Sequence, residues 1–237
     1  MSWFVKGIKQ PVKTLGDRVG DAGSPGVLPE RPIATRVSDP QLVTICPTGA
    51  LSEQEGMVVV DDARCVQCGW CRRESRVTMN WEAGQAQVRV KAEGMPSAFR
   101  HSLHVRVVDA GDCGACLNEI HQLASPVYSL HRFGIAFTPT PREADVLLVV
   151  GPVTVSMRRS LEETYQAVAD PKRVVAIGTC ALSAGVFSSS FAVAGPVSDV
   201  IPVDALVPGC PPPPLAILQA LQLVMAGSRT SGSLGEV

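Results

Sequence analysis

The sequence predicts a protein of the α/β class, and three observations lead to this prediction. Its 237 residues are enough for one or two domains with a buried core. Hydrophobic residues make up 46% of the chain and aromatic residues only 5%, which is typical of sheets built from buried Val, Ala and Leu. Between residues 98 and 226, strand-like and helix-like segments alternate, which predicts a flavodoxin-like parallel sheet with helices on both faces.

The alternation can be followed element by element. The predicted strands are short apolar runs: Leu103–Val108, Ile135–Phe137, Val146–Val150, Val174–Ile177 and Ala205–Val207. Three helices are predicted between or after them: one beginning at Leu117, one over Val155–Ala169 and one over Leu215–Met225, after the proline run. In the second helix, apolar side chains recur at helical spacing and form one stripe: Met157, Leu161, Tyr165 and Val168.

The rest of the chain divides into three further segments. Residues 1–32 are expected to form an irregular arm and linker, whose basic and aromatic beginning lies either on a membrane surface or against a neighbouring subunit. Residues 33–97 are expected to form a small cysteine-bearing module with short strands at Met57–Val60 and Ala86–Val90. The third segment, the Ser/Gly-rich residues 227–237 after the α/β domain of residues 98–226, is predicted to be disordered.

Charge and hydropathy exclude several classes of protein. The formal net charge is −1, which gives no electrostatic reason to expect nucleic-acid binding. The longest apolar stretch, Ala144 to Val155, is too short for the roughly 20 residues of a membrane-spanning helix. No charged segment followed by an apolar one opens the sequence, so we expect a cytoplasmic location and reduced thiols rather than disulfides. Any membrane association would then be peripheral or through partners.

The eight cysteines fall into two sets of four with none left over. The distal set is Cys46, Cys65, Cys68 and Cys71, and the proximal set is Cys113, Cys116, Cys180 and Cys210. The proximal cysteines each follow a predicted strand, and ligands in open α/β sheets bind beyond the carboxyl ends of the strands. We therefore expect these four thiols at one edge of the sheet, where they would hold an iron–sulfur cluster. A zinc site is the alternative, but structural zinc usually takes two local C-x2-C pairs.

Four stretches of the α/β region resemble a known family. The sequences VDAGDCGACLNEI, HRFGIAFTPTPREADVLLVVGPVT, KRVVAIGTCALSAGVF and VIPVDALVPGCPPPPLAIL are similar to the small subunit shared by complex I (NADH:quinone oxidoreductase) and membrane-bound [NiFe] hydrogenases. The resemblance runs from Val107 to about Leu223 and covers about half of the chain. It implies one [4Fe–4S] cluster, held by the proximal set next to the active site of a large partner subunit.

The first two ligands of the proximal set favour the hydrogenase branch of this family. Complex I typically has two adjacent cysteines here, whereas this chain has Cys113-Gly-Ala-Cys116, which resembles the hydrogenases. Complex-I-like relatives without nickel can share this arrangement, so reduction of quinone at the proximal cluster remains the alternative. The resemblance also implies that Glu119 lies near the large subunit's site, where a proton-relay role competes with that of an ordinary acid in a helix's first turn.

The distal set resembles half of a bacterial ferredoxin. The spacing of Cys65, Cys68 and Cys71 is that of one C-x2-C-x2-C run, and Cys46-Pro47 resembles the remote ligand of a two-cluster ferredoxin. The surviving cysteines are those that would hold a single [4Fe–4S] cluster in a ferredoxin-like α+β module. A zinc ribbon is the alternative. Glu74 is the other candidate for the fourth ligand, but a thiolate suits iron–sulfur better than a carboxylate.

These interpretations combine into a functional hypothesis. The chain would relay electrons through two [4Fe–4S] clusters between a large catalytic subunit and an external electron donor or acceptor. The complex would contain membrane-arm subunits and lie at the cytoplasmic face of the inner membrane. A free-standing ferredoxin-like carrier, or a zinc-stabilised interaction protein, is the hypothesis from a different class.

Overall fold

The structure, a computed structural model, describes residues 30–36, 41–73, 79–84, 86–91 and 93–226. Its strands are β1 (Glu30–Pro32), β2 (Thr35–Arg36), β3 (Leu51–Gln54), β4 (Met57–Val60), β5 (Trp81–Ala83), β6 (Arg89–Val90), β7 (Leu103–Asp109), β8 (Ile135–Phe137), β9 (Val146–Val150), β10 (Val153–Thr154), β11 (Arg173–Ile177), β12 (Val193–Gly195) and β13 (Ala205–Val207). Its α-helices are α1 (Gln41–Ile45), α2 (Trp70–Arg73), α3 (Ala115–Gln122), α4 (Val155–Ala167), α5 (Thr179–Ser183) and α6 (Pro214–Ala226).

A six-stranded sheet forms the centre of the α/β domain, in the order β6-β13-β11-β9-β7-β8. The five strands after β6 in this order pair in parallel, and β6 adds an antiparallel edge. Numbered along the chain, the parallel strands lie in the order 2-1-3-4-5, which is the flavodoxin-like arrangement. The predicted fold class is therefore confirmed, and the five strands predicted in this region all occur within a residue or two of their predicted bounds.

Both faces of the central sheet are buried, because side chains of a strand alternate between its two faces. In β9, Leu148 belongs to one apolar core together with Ile120 of α3 and Leu221 of α6. Its neighbour Val149 belongs to a second core, which contains Leu161 of α4. Helices thus cover both faces, as a parallel sheet requires.

The N-terminal module is built from small pieces of sheet. Strands β2, β4 and β3 form one antiparallel sheet, and β1 pairs with β5 in a separate ribbon. Its core is small and includes Leu42 of α1, Leu51 and Val58. The guanidinium of Arg31 holds the ribbon together through ion pairs with Glu82 at 2.6 Å and with Asp62 at 3.0 Å.

The two parts of the chain are connected through the edge of the central sheet. Strand β6 precedes the expected domain boundary at residue 97, yet it pairs with β13 of the α/β domain. The backbone N–H of Lys91 continues this pairing by donating to the carbonyl of Asp204 at 2.7 Å. An edge strand supplied by the preceding module saturates backbone groups that would otherwise be exposed.

Several predictions fall outside the described residues: the arm up to residue 29, the tail from residue 227, and Glu74. None of the helices in the described ranges combines the length and the hydropathy needed to cross a bilayer.

Candidate metal centres

The proximal cysteines lie at the carboxyl edge of the central sheet. Cys113 is in the loop between β7 and α3, and Cys116 lies in the first turn of α3. Cys180 lies in α5, directly after β11, and Cys210 follows β13. The strands β7, β11 and β13 run parallel in one sheet, so their following loops emerge at the same edge.

The four proximal thiols lie in one region and disfavour one another's ionisation. Burial raises the pKa of Cys116 far above its usual value, and the nearby Asp112, Cys210, Cys180 and Cys113 raise it further. Burial likewise raises the pKa of Cys180 to about 11, with contributions from Cys210 and Cys113. Four thiolates in this region would repel one another, and a bound metal centre would compensate their charge.

Glycines bring the backbone close to these thiols. A Cβ at Gly178 would lie only 2.5 Å from Sγ of Cys116, so a side chain there would displace the thiol. At Gly185 a Cβ would lie 3.3 Å from Sγ of Cys180. The close approach of backbone to sulfur is the arrangement by which N–H groups can reach a cluster.

Two aspartates shape the loop that carries Cys113. Oδ1 of Asp109 accepts hydrogen bonds from the backbone N–H groups of Gly111 at 2.9 Å and Asp112 at 2.7 Å. Oδ2 of Asp112 accepts from the N–H groups of Gly114 at 3.0 Å and Leu117 at 3.1 Å. Asp112 therefore fixes the turn into α3 and places a negative charge beside the thiols. The sequence analysis did not single out this residue, although its position directly before the C-x2-C pair is the signal that could have done so.

The distal cysteines line one cavity of the N-terminal module. Cys46, Cys65, Cys68 and Cys71 all contribute to its wall. The sulfur of Cys46 accepts a hydrogen bond from the backbone N–H of Ala50 at 3.2 Å, as expected where a thiolate is to be stabilised. Burial raises the pKa of Cys65 to about 11, against the lowering effect of the Gln67 N–H group. Cys46 is thus brought to the other three thiols, and Glu74 cannot be compared because it lies outside the described residues.

An unpaired donor belongs to the wall of the same cavity. The indole Nε1 of Trp81 is buried and has no hydrogen-bond partner among the described residues. Trp81 lines the cavity together with the four cysteines and apolar residues such as Leu51. A buried N–H without an acceptor costs free energy, and the sulfur atoms of an iron–sulfur cluster are acceptors. The cavity therefore fits such a cluster, because it offers four thiols, an apolar wall and an N–H donor without a partner.

All eight cysteines are free thiols in this structure. Within the described ranges, no three histidine, cysteine or acidic side chains gather closely enough to hold a single metal ion. The fold thus brings each set of thiols into one region, but the thiols of a set are farther apart than the ligands of a single metal ion.

Thr179 links the two sets. Its Oγ1 donates to the backbone carbonyl of Cys65 at 3.0 Å and to that of Gly209 at 3.2 Å. Cys65 belongs to the distal set, while Thr179 and Gly209 directly precede the proximal Cys180 and Cys210. The sequence analysis missed this contact, because its partners lie 114 positions apart and no local pattern marks it.

Glu119, the candidate proton relay, lies half-buried on α3, three positions after Cys116. The residues at positions three apart on a helix share one face. The role of Glu119 remains a prediction.

Comparison with known proteins agrees with this architecture. A family model described as "NADH ubiquinone oxidoreductase, 20 Kd subunit" matches residues 113–224, which include all four proximal cysteines. An uncharacterized protein of Methanocaldococcus jannaschii is 48% identical over 128 residues, covering 54% of this chain and 86% of that protein. The fold and the thiol edge define an electron-transfer subunit of an oxidoreductase. The chain belongs to the 20 kDa subunit family of NADH:ubiquinone oxidoreductase, and this membership implies that it binds iron–sulfur.

Other relatives are subunits of hydrogenases and related complexes. A probable membrane-bound hydrogenase subunit of Pyrococcus furiosus is 42% identical over 118 residues, covering 50% of this chain and 71% of that subunit. Formate hydrogenlyase subunit 7 of Escherichia coli is 39% identical, and the match covers 54% of this chain but only 50% of the relative. Among solved structures, the membrane-bound sulfane sulfur reductase, an archaeal respiratory membrane complex, has a chain that matches with a TM-score of 0.49 and 32% identity, covering 54% of this chain and 71% of that one.

Proposed function

We propose that this chain carries two [4Fe–4S] clusters and relays electrons to or from the active site of a large subunit in a membrane-associated [NiFe] hydrogenase. The observation that carries the proposal is the gathering of Cys113, Cys116, Cys180 and Cys210 at the carboxyl edge of the sheet, in a family that includes hydrogenase subunits. The cavity formed by the distal cysteines supports a second cluster on the same chain.

The chain's own residues would bind and shield the clusters. When bound, a [4Fe–4S] cluster supplies the capacity to take up and release one electron at a time. The proximal thiols would hold one cluster, with Asp112 fixing the loop around Cys113 and Gly178 leaving room for Cys116. The distal thiols would hold the other, with Trp81 donating its indole N–H towards sulfur.

A large partner would cover the proximal edge. Cys113 and Cys210 are exposed, although a cluster beside a catalytic centre works best when shielded from water. Helix α5 carries Cys180, and the segment after this helix exposes Val186, Phe187 and Phe191. The side chain of Phe191 is 98% exposed. Exposed apolar side chains in the segment that follows the ligand-bearing helix α5 are a feature expected of a subunit interface.

The names of the similar proteins favour hydrogenase chemistry over quinone reduction. Both named bacterial and archaeal relatives are called hydrogenase or hydrogenlyase subunits. The family model nevertheless has a quinone-linked name, so reduction of quinone at the proximal cluster is the second candidate. In either case the active site would lie in the partner, and Glu119 would at most move a proton at its carboxylate towards it. Further partners would be membrane-arm subunits and an external donor or acceptor, at the cytoplasmic face of the membrane.

The test uses the whole complex, purified without oxygen and then oxidised. We expect H2 to reduce both clusters, as seen by EPR spectroscopy, because electrons released in the partner would reach both centres. In the Cys180→Ala variant, H2 should no longer reduce the distal cluster. If H2 leaves both clusters oxidised while a quinol reduces them, the quinone-linked function holds instead.

A Phe191→Asp variant tests the interface separately. A charge at this position should abolish co-purification of the large subunit. Val127→Asp is the control and should not, because Val127 is also exposed (84%) but lies between α3 and β8. Co-purification that survives Phe191→Asp would contradict the proposed surface.

A further inference from the structure

Thr179 is the most deeply buried of the polar side chains in the described part of the chain, with 1% of its surface exposed. Its hydroxyl carries one proton and faces two carbonyl acceptors, those of Cys65 and Gly209. The backbone N–H of Thr179 already donates to the Gly209 carbonyl at 2.9 Å. The hydroxyl therefore contributes mainly the bond to Cys65, which no other group of Thr179 could replace.

This hydrogen bond also connects the two sets of cysteines. From Cys65 the path runs through its own carbonyl, across the hydrogen bond to the Thr179 side chain, and along one peptide unit to Cys180. It thus leads from a distal thiol to a proximal thiol through covalent bonds and a single hydrogen bond. A β-branched side chain has few rotamers, so the hydroxyl is held in place by the backbone of α5.

We infer that Thr179 is the positioning residue that sets the distal cluster against the proximal cluster, an inference that rests on the proposed two-cluster function. Bound clusters would exchange one electron, with one oxidised as the other is reduced, and Thr179 would only hold the backbone of Cys65 against that of Cys180. No bond or proton would change place.

Other contacts would hold the module in place without Thr179. Strand β6 pairs with β13, and the guanidinium of Arg173 donates to the carbonyl of Glu93 at 3.0 Å and 3.2 Å. On the side of the N-terminal module, these contacts are made by residues 89–93 and not by the segments that carry the distal thiols. Loss of the Thr179 hydroxyl should therefore loosen the approach of the two clusters while the module stays attached.

The experiment compares four variants of the full chain within the anaerobic complex. Thr179→Val removes the hydroxyl at nearly constant shape, Thr179→Ala repeats the loss with a smaller side chain, and Thr179→Ser restores the hydroxyl. Thr138→Val is the matched control, because Thr138 is also buried and its hydroxyl donates to Glu143 at 3.1 Å inside the α/β domain. Two properties are measured: the magnetic interaction between the two reduced clusters by EPR, and deuterium uptake of the peptide that contains Cys65.

We expect Thr179→Val and Thr179→Ala to weaken the magnetic interaction and to speed deuterium uptake around Cys65 about tenfold, as loss of one buried hydrogen bond predicts. Thr179→Ser and Thr138→Val should match the wild type in both measurements. An interaction that is unchanged in Thr179→Val or Thr179→Ala, with both clusters present, would overturn the inference.

A failure of the two-cluster proposal can be distinguished from a failure of the inference about Thr179. A wild-type protein with fewer than two clusters would refute the two-cluster proposal itself. Deuterium uptake would still decide the role of Thr179, because unchanged uptake around Cys65 in both hydroxyl-free variants would overturn it.

Discussion

Gly178 and the thiol of Cys116 lie so close that a Cβ on the glycine would sit 2.5 Å from Sγ. The φ angle of Gly178 is also +85°, a conformation that side chains with a Cβ rarely adopt. The strand before Cys180 is thus followed by a glycine whose lack of a side chain makes room for Cys116, another ligand of the same set.

This contact predicts that Gly178→Ala destroys the proximal site. Strain in this conformation should cost about 1–3 kcal/mol, and displacement of the Cys116 thiol should prevent cluster binding in addition. Gly114→Ala is the matched control, since its φ is +92° but nothing lies within 4 Å of its Cβ position. EPR spectra of the two reduced variants provide the measurement. A proximal signal that survives in Gly178→Ala as well as in Gly114→Ala would contradict the assigned geometry.

Trp81 predicts an effect on the potential of the distal cluster. Trp81→Phe removes the buried indole N–H, and because a hydrogen bond to sulfur favours the reduced cluster, the potential should fall by on the order of tens of millivolts. Trp70→Phe is the control, because Trp70 lines the same cavity but is 51% exposed. Redox titration followed by EPR measures both. Equal potentials in wild type and Trp81→Phe would show that the indole does not reach the cluster.

The fold was predictable from the sequence where apolar runs are long and buried. Val146–Val150 is buried on both faces and was located at its observed bounds. The N-terminal module was harder, because β1 and β3 are short and lack alternating apolar residues. The core around Leu42 is too small to impose a clear periodicity.

Some residues of the candidate site were likewise predictable from the sequence and others were not. The cysteines were found by spacing, and the parallel topology explains why the proximal set meets at one edge. Asp112, Trp81 and Thr179 were missed because their roles depend on contacts across the fold: a turn, a cavity wall and a bond to Cys65. Such contacts appear only once the strands and loops have been assembled.

Cys46 predicts a selective loss of the distal cluster. It lines the cavity with Cys65, Cys68 and Cys71, so Cys46→Ala should degrade the distal cluster and leave the proximal signal intact. Glu74→Ala should leave both clusters in place, because a carboxylate is the poorer ligand for iron–sulfur. Spectroscopy of the reduced variants compares them. Loss of the distal signal in Glu74→Ala but not in Cys46→Ala would reverse the ligand assignment.

The raised thiol pKa values predict a pH dependence of the iron-free protein. The pKa of Cys65 and Cys180 rises from 9.0 to about 11 on folding, so between these values the folded chain keeps protons that the unfolded chain has lost. The stability that these thiols contribute is fully present below pH 9 and is lost as the pH rises through about 11. Allowing for partial exposure, the loss should be on the order of 1 kcal/mol per thiol.

Urea unfolding of the iron-free protein measures this dependence across the same pH range. The Cys65→Ser, Cys180→Ser double variant should show a flatter decline, because serine does not ionise there. A wild-type protein whose urea midpoint declines no more steeply than that of the double variant would contradict the assigned pKa shifts.

The central claim, two [4Fe–4S] clusters on one chain, is tested most directly by iron and acid-labile sulfide analysis of the anaerobically purified protein. Eight free cysteines in two sets of four predict about eight iron and eight sulfide per chain. Two zinc ions per chain, with no acid-labile sulfide, would contradict the account.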